Sequence, residues 1–165
     1  MRKQAGFTLL ELLVVMSVIL VVIGLAVVRL DDSGSRVTHA NAEGLSLALE
    51  AARDAAVYSG KPVAFSSDGE GFQFWRSDDK QRKWLALSGD SALQARKLKG
   101  EVRILQQTVN GKSRPLGERL VFSAEGLSEP FTLLLQGGEA RVQVMADALG
   151  RIRIEDVAQE ETGAR

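Results

Sequence analysis

The stretch "GFTLLELLVVMSVILVVIGLAVV", Gly6–Val28, decides how the rest of the chain is read. It is apolar except for one acid, Glu11, close to its start. As a helix, residues 7–28 would extend roughly 33 Å at about 1.5 Å per residue. A bilayer's hydrocarbon layer is about 30 Å thick, so the segment is long enough to cross it. Arg2 and Lys3 precede it, which predicts a cytoplasmic N-terminus. Everything beyond Arg29 would then lie on the far side, the periplasm of a Gram-negative cell. An ionised carboxylate near the middle of such a helix costs about 2.5–3.5 kcal/mol on insertion scales. Glu11 therefore needs a reason to be there.

A secretory signal would have an apolar core of about 7–15 residues and a small-residue cleavage site after it. This run is longer, and "VVRLDDSGSR" follows it with no A-x-A-like site. Gly6, the small residue placed for processing, lies before the apolar run. A plain signal-anchor explains neither Gly6 nor Glu11. The stretch "KQAGFTLLELLVVMSVILVVIGLAVV" resembles the N-terminus of type IV pilins and type II secretion pseudopilins. Those begin with a short basic leader ending in Gly, then Phe-Thr-Leu-x-Glu, then an apolar helix. The resemblance covers about the first 30 residues. It implies that a membrane-embedded prepilin peptidase cuts between Gly6 and Phe7 and methylates the new Phe7 amine.

The resemblance also implies a role for Glu11. Cleavage would leave it four residues beyond a positive terminus, on the same helix face, where the helix dipole favours an anion. In a filament of packed helices it would instead pair with the Phe7 amine of a neighbour. A buried charge is tolerated when paired, and removing one partner leaves a costly orphan. The plainer alternative is a first-turn glutamate near the lipid headgroups that stabilises its own helix.

The segment "RLDDSGSR", Arg29–Arg36, interrupts the apolar run, and Asp31, Asp32, Ser33 and Gly34 are suited to cap a new helix or kink a continuing one. Beyond it, Leu45, Ala48, Leu49, Ala52, Ala55 and Ala56 recur at helical spacing as one apolar stripe, with Glu43, Glu50, Arg53 and Asp54 mostly off it. Gly60 and Pro62 mark the stop. From Lys61 the texture changes to strands. "PVAFS" and "FQFWRS" flank the hairpin signal "SDGEG". "WLAL" follows, then a basic, helix-compatible stretch, then "EVRILQQ", which alternates. "RLVFSAEGL", "PFTLLLQGG", "ARVQVMADALG" and "RIRIED" complete about eight strands. The fold class is α+β, one long N-terminal helix packed on antiparallel β-sheets of a pilin-like head. The expected division is leader 1–6, transmembrane or filament-core helix 7–28, amphipathic helix 29–60, β-rich periplasmic head 61–156 and flexible tail 157–165.

"LVFSAEGLSEPFTLLL" and "ARVQVMADALGRIRI" resemble the C-terminal part of H-type minor pseudopilins and of the related FimT-type minor pilins. The shared features are Phe122 before a Gly-containing turn, a Leu-rich strand and a closing Gly-Arg-x-Arg strand. The acidic calcium-binding region with which major G-type pseudopilins typically end is not matched.

The 165 residues carry no cysteine and one histidine, His39. Disulfides, thiolate metal sites and cysteine nucleophiles are excluded, and a His-based triad or multi-histidine metal site is disfavoured. Asp78 and Asp79 read as a turn. "DGEG" lacks the further oxygen ligands of a calcium loop, and "QGGEA" lacks the context of a phosphate loop. No catalytic residue, cofactor or metal is expected. The middle of the chain is locally basic around Trp75 and Trp84, a pattern seen in single-strand binding. Asp78, Asp79, Asp90 and Glu101 dilute it, and from Asp31 onward 18 basic residues face 20 acidic ones. Nucleic acid is not an expected partner. The resemblance implies a structural subunit of a periplasmic pseudopilus that drives folded exoproteins across the outer membrane. Its partners would be other major and minor pseudopilins, the prepilin peptidase, the inner-membrane assembly platform and, before assembly, the lipid bilayer. The alternative is a FimT-type minor pilin used in pilus priming or DNA uptake.

Overall fold

The computed structural model describes residues 9–78, 83–89 and 92–157, with side chains omitted at 25–33. The chain divides into two units, Met1–Ser33 and Gly34–Arg165. Helix α1 is assigned over Leu9–Ser59. The stretch around Asp31–Gly34 does not start a new helix, because the assignment runs through it unbroken. The expected leader and Ala158–Arg165 of the tail lie outside the described residues.

Among the described residues of the second unit, ten strands form two five-stranded antiparallel sheets. The first contains β1 (Val63–Ser67), β2 (Gly71–Asp78), β3 (Lys83–Ala86) and β7 (Leu120–Phe122) in the order β3-β2-β1-β7, with β4 (Arg96–Lys97) also paired to β2. The second runs β10-β9-β8-β5-β6, built from β5 (Arg103–Val109), β6 (Lys112–Arg114), β8 (Phe131–Gly137), β9 (Ala140–Ala146) and β10 (Ile152–Asp156).

The core is the helix stripe closed against both sheets. Ala42, Leu45, Leu49, Ala52 and Ala56 have no exposed surface, and Ala48 is almost fully buried. Ala55 is partly buried and packs against the same cluster. The first sheet contributes Phe65, Phe72 and Phe74, whose rings pack at centroid separations of 5.7–5.9 Å, within the range of favourable aromatic pairs. The second contributes Leu133, Leu135, Val142 and Val144, all fully buried. Strand β8 alternates strictly between buried and half-buried side chains, as one face on the core requires.

Three details depart from the sequence reading. The alternation expected through "EVRILQQ" breaks at a bulge between Ile104 and Gln106. The extra residue turns Gln107 inward, where it is fully buried. The helix-compatible stretch forms no helix where it is described. Turns and β4 occupy residues 92–101, and Gly71 admits the backbone beside it because a Cβ there would stand 2.6 Å from the Arg96 carbonyl oxygen. Strands β4 and β6 were not expected at all.

Candidate functional site

In the first unit, every large apolar side chain from Leu9 to Ile23 is exposed, all around the helix. A helix that is apolar all round has no polar face to give to water and is normally buried in protein or lipid. Ser17 turns its hydroxyl back to donate to the Leu13 carbonyl at 2.9 Å, so its one polar group is satisfied within the helix. Glu11 stands in the first turn of α1 with its side chain exposed. There the dipole favours its charge. Gly6 and Phe7 lie outside the described residues. So do the start of the expected span 7–28 and its side chains from Leu25. Among the described residues, no helix is long and apolar enough to cross a membrane.

The second unit holds the remaining residues singled out in the sequence. Asp68 closes the β1–β2 hairpin by accepting from the amides of Gly71 at 2.8 Å and Glu70 at 3.0 Å. The Gly71 hydrogen bond is the main reason its pKa lies below the ordinary value. This is a turn cap, and its Oδ1 is spent on backbone. Asp147 does the same in the β9–β10 turn. It accepts from the Arg151 amide at 3.0 Å and the Leu149 amide at 2.9 Å, and its second oxygen takes the Arg151 guanidinium at 2.6 Å. The Arg151 amide leads in holding its pKa down. One arginine of the closing "GRIRI" is thereby committed to its own turn. His39 on α1 meets Asp156 at the end of β10 at 2.7 Å.

The basic residues of the middle are divided. Arg76 and Lys83 lie on β2 and β3, and Arg96 and Lys97 on β4. Arg103 lies in the other sheet, paired with Glu70 at 3.2 Å. Lys99 is held through its backbone: Asn41 of α1 donates to its carbonyl at 3.1 Å and accepts from its amide at 2.8 Å. Trp75 and Trp84 are brought together by Arg119, whose guanidinium carbon lies 4.5 Å and 5.9 Å from the two ring centres. Sequence reading did not find Arg119, because neither its spacing nor its neighbours mark it. An open depression of about 700 Å³ lies between Lys61, Arg76, Asp78, Leu85 and Leu87. Among the described residues no group of three or more His, Cys, Asp or Glu could hold a metal.

Comparison with known proteins agrees with both halves of this description. The family described as "Prokaryotic N-terminal methylation motif" matches residues 1–27, and "Type II transport protein GspH" matches residues 41–150. A type II secretion system protein H of Pseudomonas aeruginosa is 31% identical over 168 residues, covering 94% of this chain and 98% of the relative. One from Aeromonas hydrophila is 31% identical over 181 residues, covering 97% and 98%. The crystal structure of the minor pseudopilin EpsH from the type II secretion system of Vibrio cholerae shares the fold at a TM-score of 0.63 and 16% identity, over 77% of this chain and 99% of that one. The FimT-type alternative is not favoured by these matches. The chain belongs to the GspH family of type II transport proteins, the H-type minor pseudopilins of the type II secretion system.

Proposed function

We propose that this pseudopilin is made as a prepilin with residues 1–6 as its leader. Prepilin peptidase cuts between Gly6 and Phe7 on the cytoplasmic side and methylates the Phe7 amine. Residues 7–28 hold the subunit in the inner membrane, with the N-terminus cytoplasmic and the head, 61–156, in the periplasm. The helix then leaves the bilayer for the periplasmic pseudopilus, guided by the inner-membrane assembly platform and packed against other pseudopilins. In that filament Glu11 pairs with the Phe7 amine of a neighbour. The protein works as a structural subunit and a substrate of the peptidase, with no catalytic role of its own.

The observation that carries this reading is the all-round apolar surface of Leu9–Ile23 with one acid, Glu11, in the first turn. Such a surface suits lipid and packed helices alike, so one segment can serve before and after assembly. The methylation motif over residues 1–27 supports the processing step. The test is the mass of the mature chain from a host that has the peptidase. Wild type should begin at Phe7. Gly6→Val should keep its leader, because a peptidase that fits the backbone closely at glycine has no room for a branched side chain. Equal processing of both chains, or a mature chain beginning elsewhere, overturns the assignment.

A further inference from the structure

Strand β3 ends the first sheet on one side, and among the described residues no strand is hydrogen-bonded to its outer edge. The Leu87 amide donates to the Phe74 carbonyl at 2.9 Å, which fixes the alternation of the antiparallel ladder between β2 and β3. Leu85, two residues back and opposite Arg76, therefore also turns its backbone groups to β2. Trp84 and Ala86 turn theirs to the free edge. Such an edge is a template for a further strand, and native sheets commonly blunt it with charge or proline. Here Lys83 guards only the start, and Trp84, Leu85 and Ala86 follow as an apolar run.

The two faces beside this edge differ. Trp84 stands opposite Ser77, two residues from Trp75, so both tryptophans share one face. The Trp75 indole is fixed there by donating to Ser66 Oγ at 2.8 Å. Arg119 lies against both rings on that face and has no ion pair among the described residues. A guanidinium held by aromatic rings is preorganised, and its N–H groups stay available for carboxylates. On the opposite face Leu85 is 49% exposed and borders the depression of about 700 Å³ with Lys61, Arg76 and Leu87.

We propose that β3 receives an extended acidic segment of a different protein as an added antiparallel strand, its carboxylates toward Arg119 and its apolar side chains toward Leu85 and the depression. Charge complementarity selects this occupant. Lys61, Arg76, Lys83 and Arg119 border the edge, with Asp78 the acid among them. The register follows from the ladder. A residue that exchanges hydrogen bonds with Trp84 or Ala86 places its side chain on their face, which is the face of Arg119. The residues whose amides meet β3 are thus the acidic ones, and those between them, with amides pointing away, are the apolar ones. A fitting segment alternates Glu or Asp with Val, Ile or Leu. Backbone pairing supplies the affinity and the two faces supply the selection, as in other strand-addition sites.

The test uses the full chain in detergent and a short fluorescent peptide of alternating Glu and Val, followed by anisotropy. This peptide should bind saturably, and its Lys-Val counterpart should not. Arg119→Glu should weaken the Glu-Val peptide about tenfold or more, as loss of a hot-spot arginine does. The same variant should bind the Lys-Val peptide better than wild type does, a gain that a misfolded chain cannot produce. Two methylated forms of the Glu-Val peptide then examine the ladder with the protein unchanged. Methyl groups on the Glu amides, which would meet β3, should abolish binding. Methyl groups on the Val amides should leave it intact. Absence of Glu-Val binding, indifference to Arg119→Glu, failure of that variant to gain the Lys-Val peptide, or equal effects of the two methylations overturns the proposal.

Discussion

Gly137, at the end of β8, lies against Thr38 of α1. A Cβ there would meet Thr38 Oγ1 and lie 2.7 Å from Val102 Cγ2. Thr38 is itself fully buried, donating to the Gly34 carbonyl at 2.9 Å. Gly137→Ala should therefore destabilise the head by about 1–3 kcal/mol, the usual cost of an overpacked site, read as a lower unfolding midpoint of the full chain in detergent. No sequence signal marks Gly137 out from the other glycines, because the crowding comes from Thr38 in α1, 99 positions away, and from Val102, just before β5. Asp147 gives a prediction in pH. Its folded pKa lies below the ordinary 3.8, first through the Arg151 amide. A depressed carboxyl stabilises the fold above its unfolded pKa and loses that contribution as pH falls through the folded value. Asp147→Ala should be less stable than wild type at neutral pH, and the gap should close as pH drops below about 3.8. A gap that persists unchanged into acid would show that the carboxylate's charge does not matter.

At the scale of elements, α1 beyond Gly34 and the long strands were legible because burial imposes a period. The stripe through Leu45, Leu49, Ala52 and Ala56 repeats at helical spacing, and "FTLLLQG" alternates, since one face of each meets the core. Strands β4 and β6 escaped because their two and three residues are all exposed, and an exposed element has no period to show. For β6 a signal did exist. Asn110-Gly111 joins it to β5 with φ of 50° and 73°, the positive pair that a two-residue hairpin turn needs and that Asn-Gly supplies. The bulge before Gln107 had no such marker, and the Gln107 Oε1 has no hydrogen-bond partner among the described residues, although its Nε2 donates to the Glu118 carbonyl at 3.1 Å. The helix stripe carries the prediction of this scale. Leu49 is fully buried at its centre, so Leu49→Ala should cost about 2–5 kcal/mol through lost transfer energy and a cavity. Chemical denaturation of the full chain in detergent measures it. A negligible loss would mean that the stripe does not close on the sheets.

At the scale of the whole molecule, the N-terminal stretch is legible for a different reason: in the proposed function its chemistry answers to lipid and neighbouring subunits. Glu11 is the residue that tests this. Placed in the first turn, it gains from its own helix dipole whether or not a filament forms. If that were its whole purpose, replacing it would cost the isolated subunit a little and the assembled one nothing more. The proposed pairing with a neighbour's Phe7 amine makes the opposite demand. Glu11→Leu leaves the segment no less apolar, so insertion and leader cleavage at Gly6 should proceed as in wild type. Entry into the pseudopilus should fall sharply, because the neighbour's amine would be left without a counter-charge among packed apolar helices. Glu11→Asp should lie between the two, keeping the charge on a shorter arm. Crosslinking of each variant to the other pseudopilins, with cleavage scored in the same samples, separates the accounts. If Glu11→Leu is cut, assembles and supports secretion like wild type, the acid serves only its own first turn, and the register of the filament is set by something else.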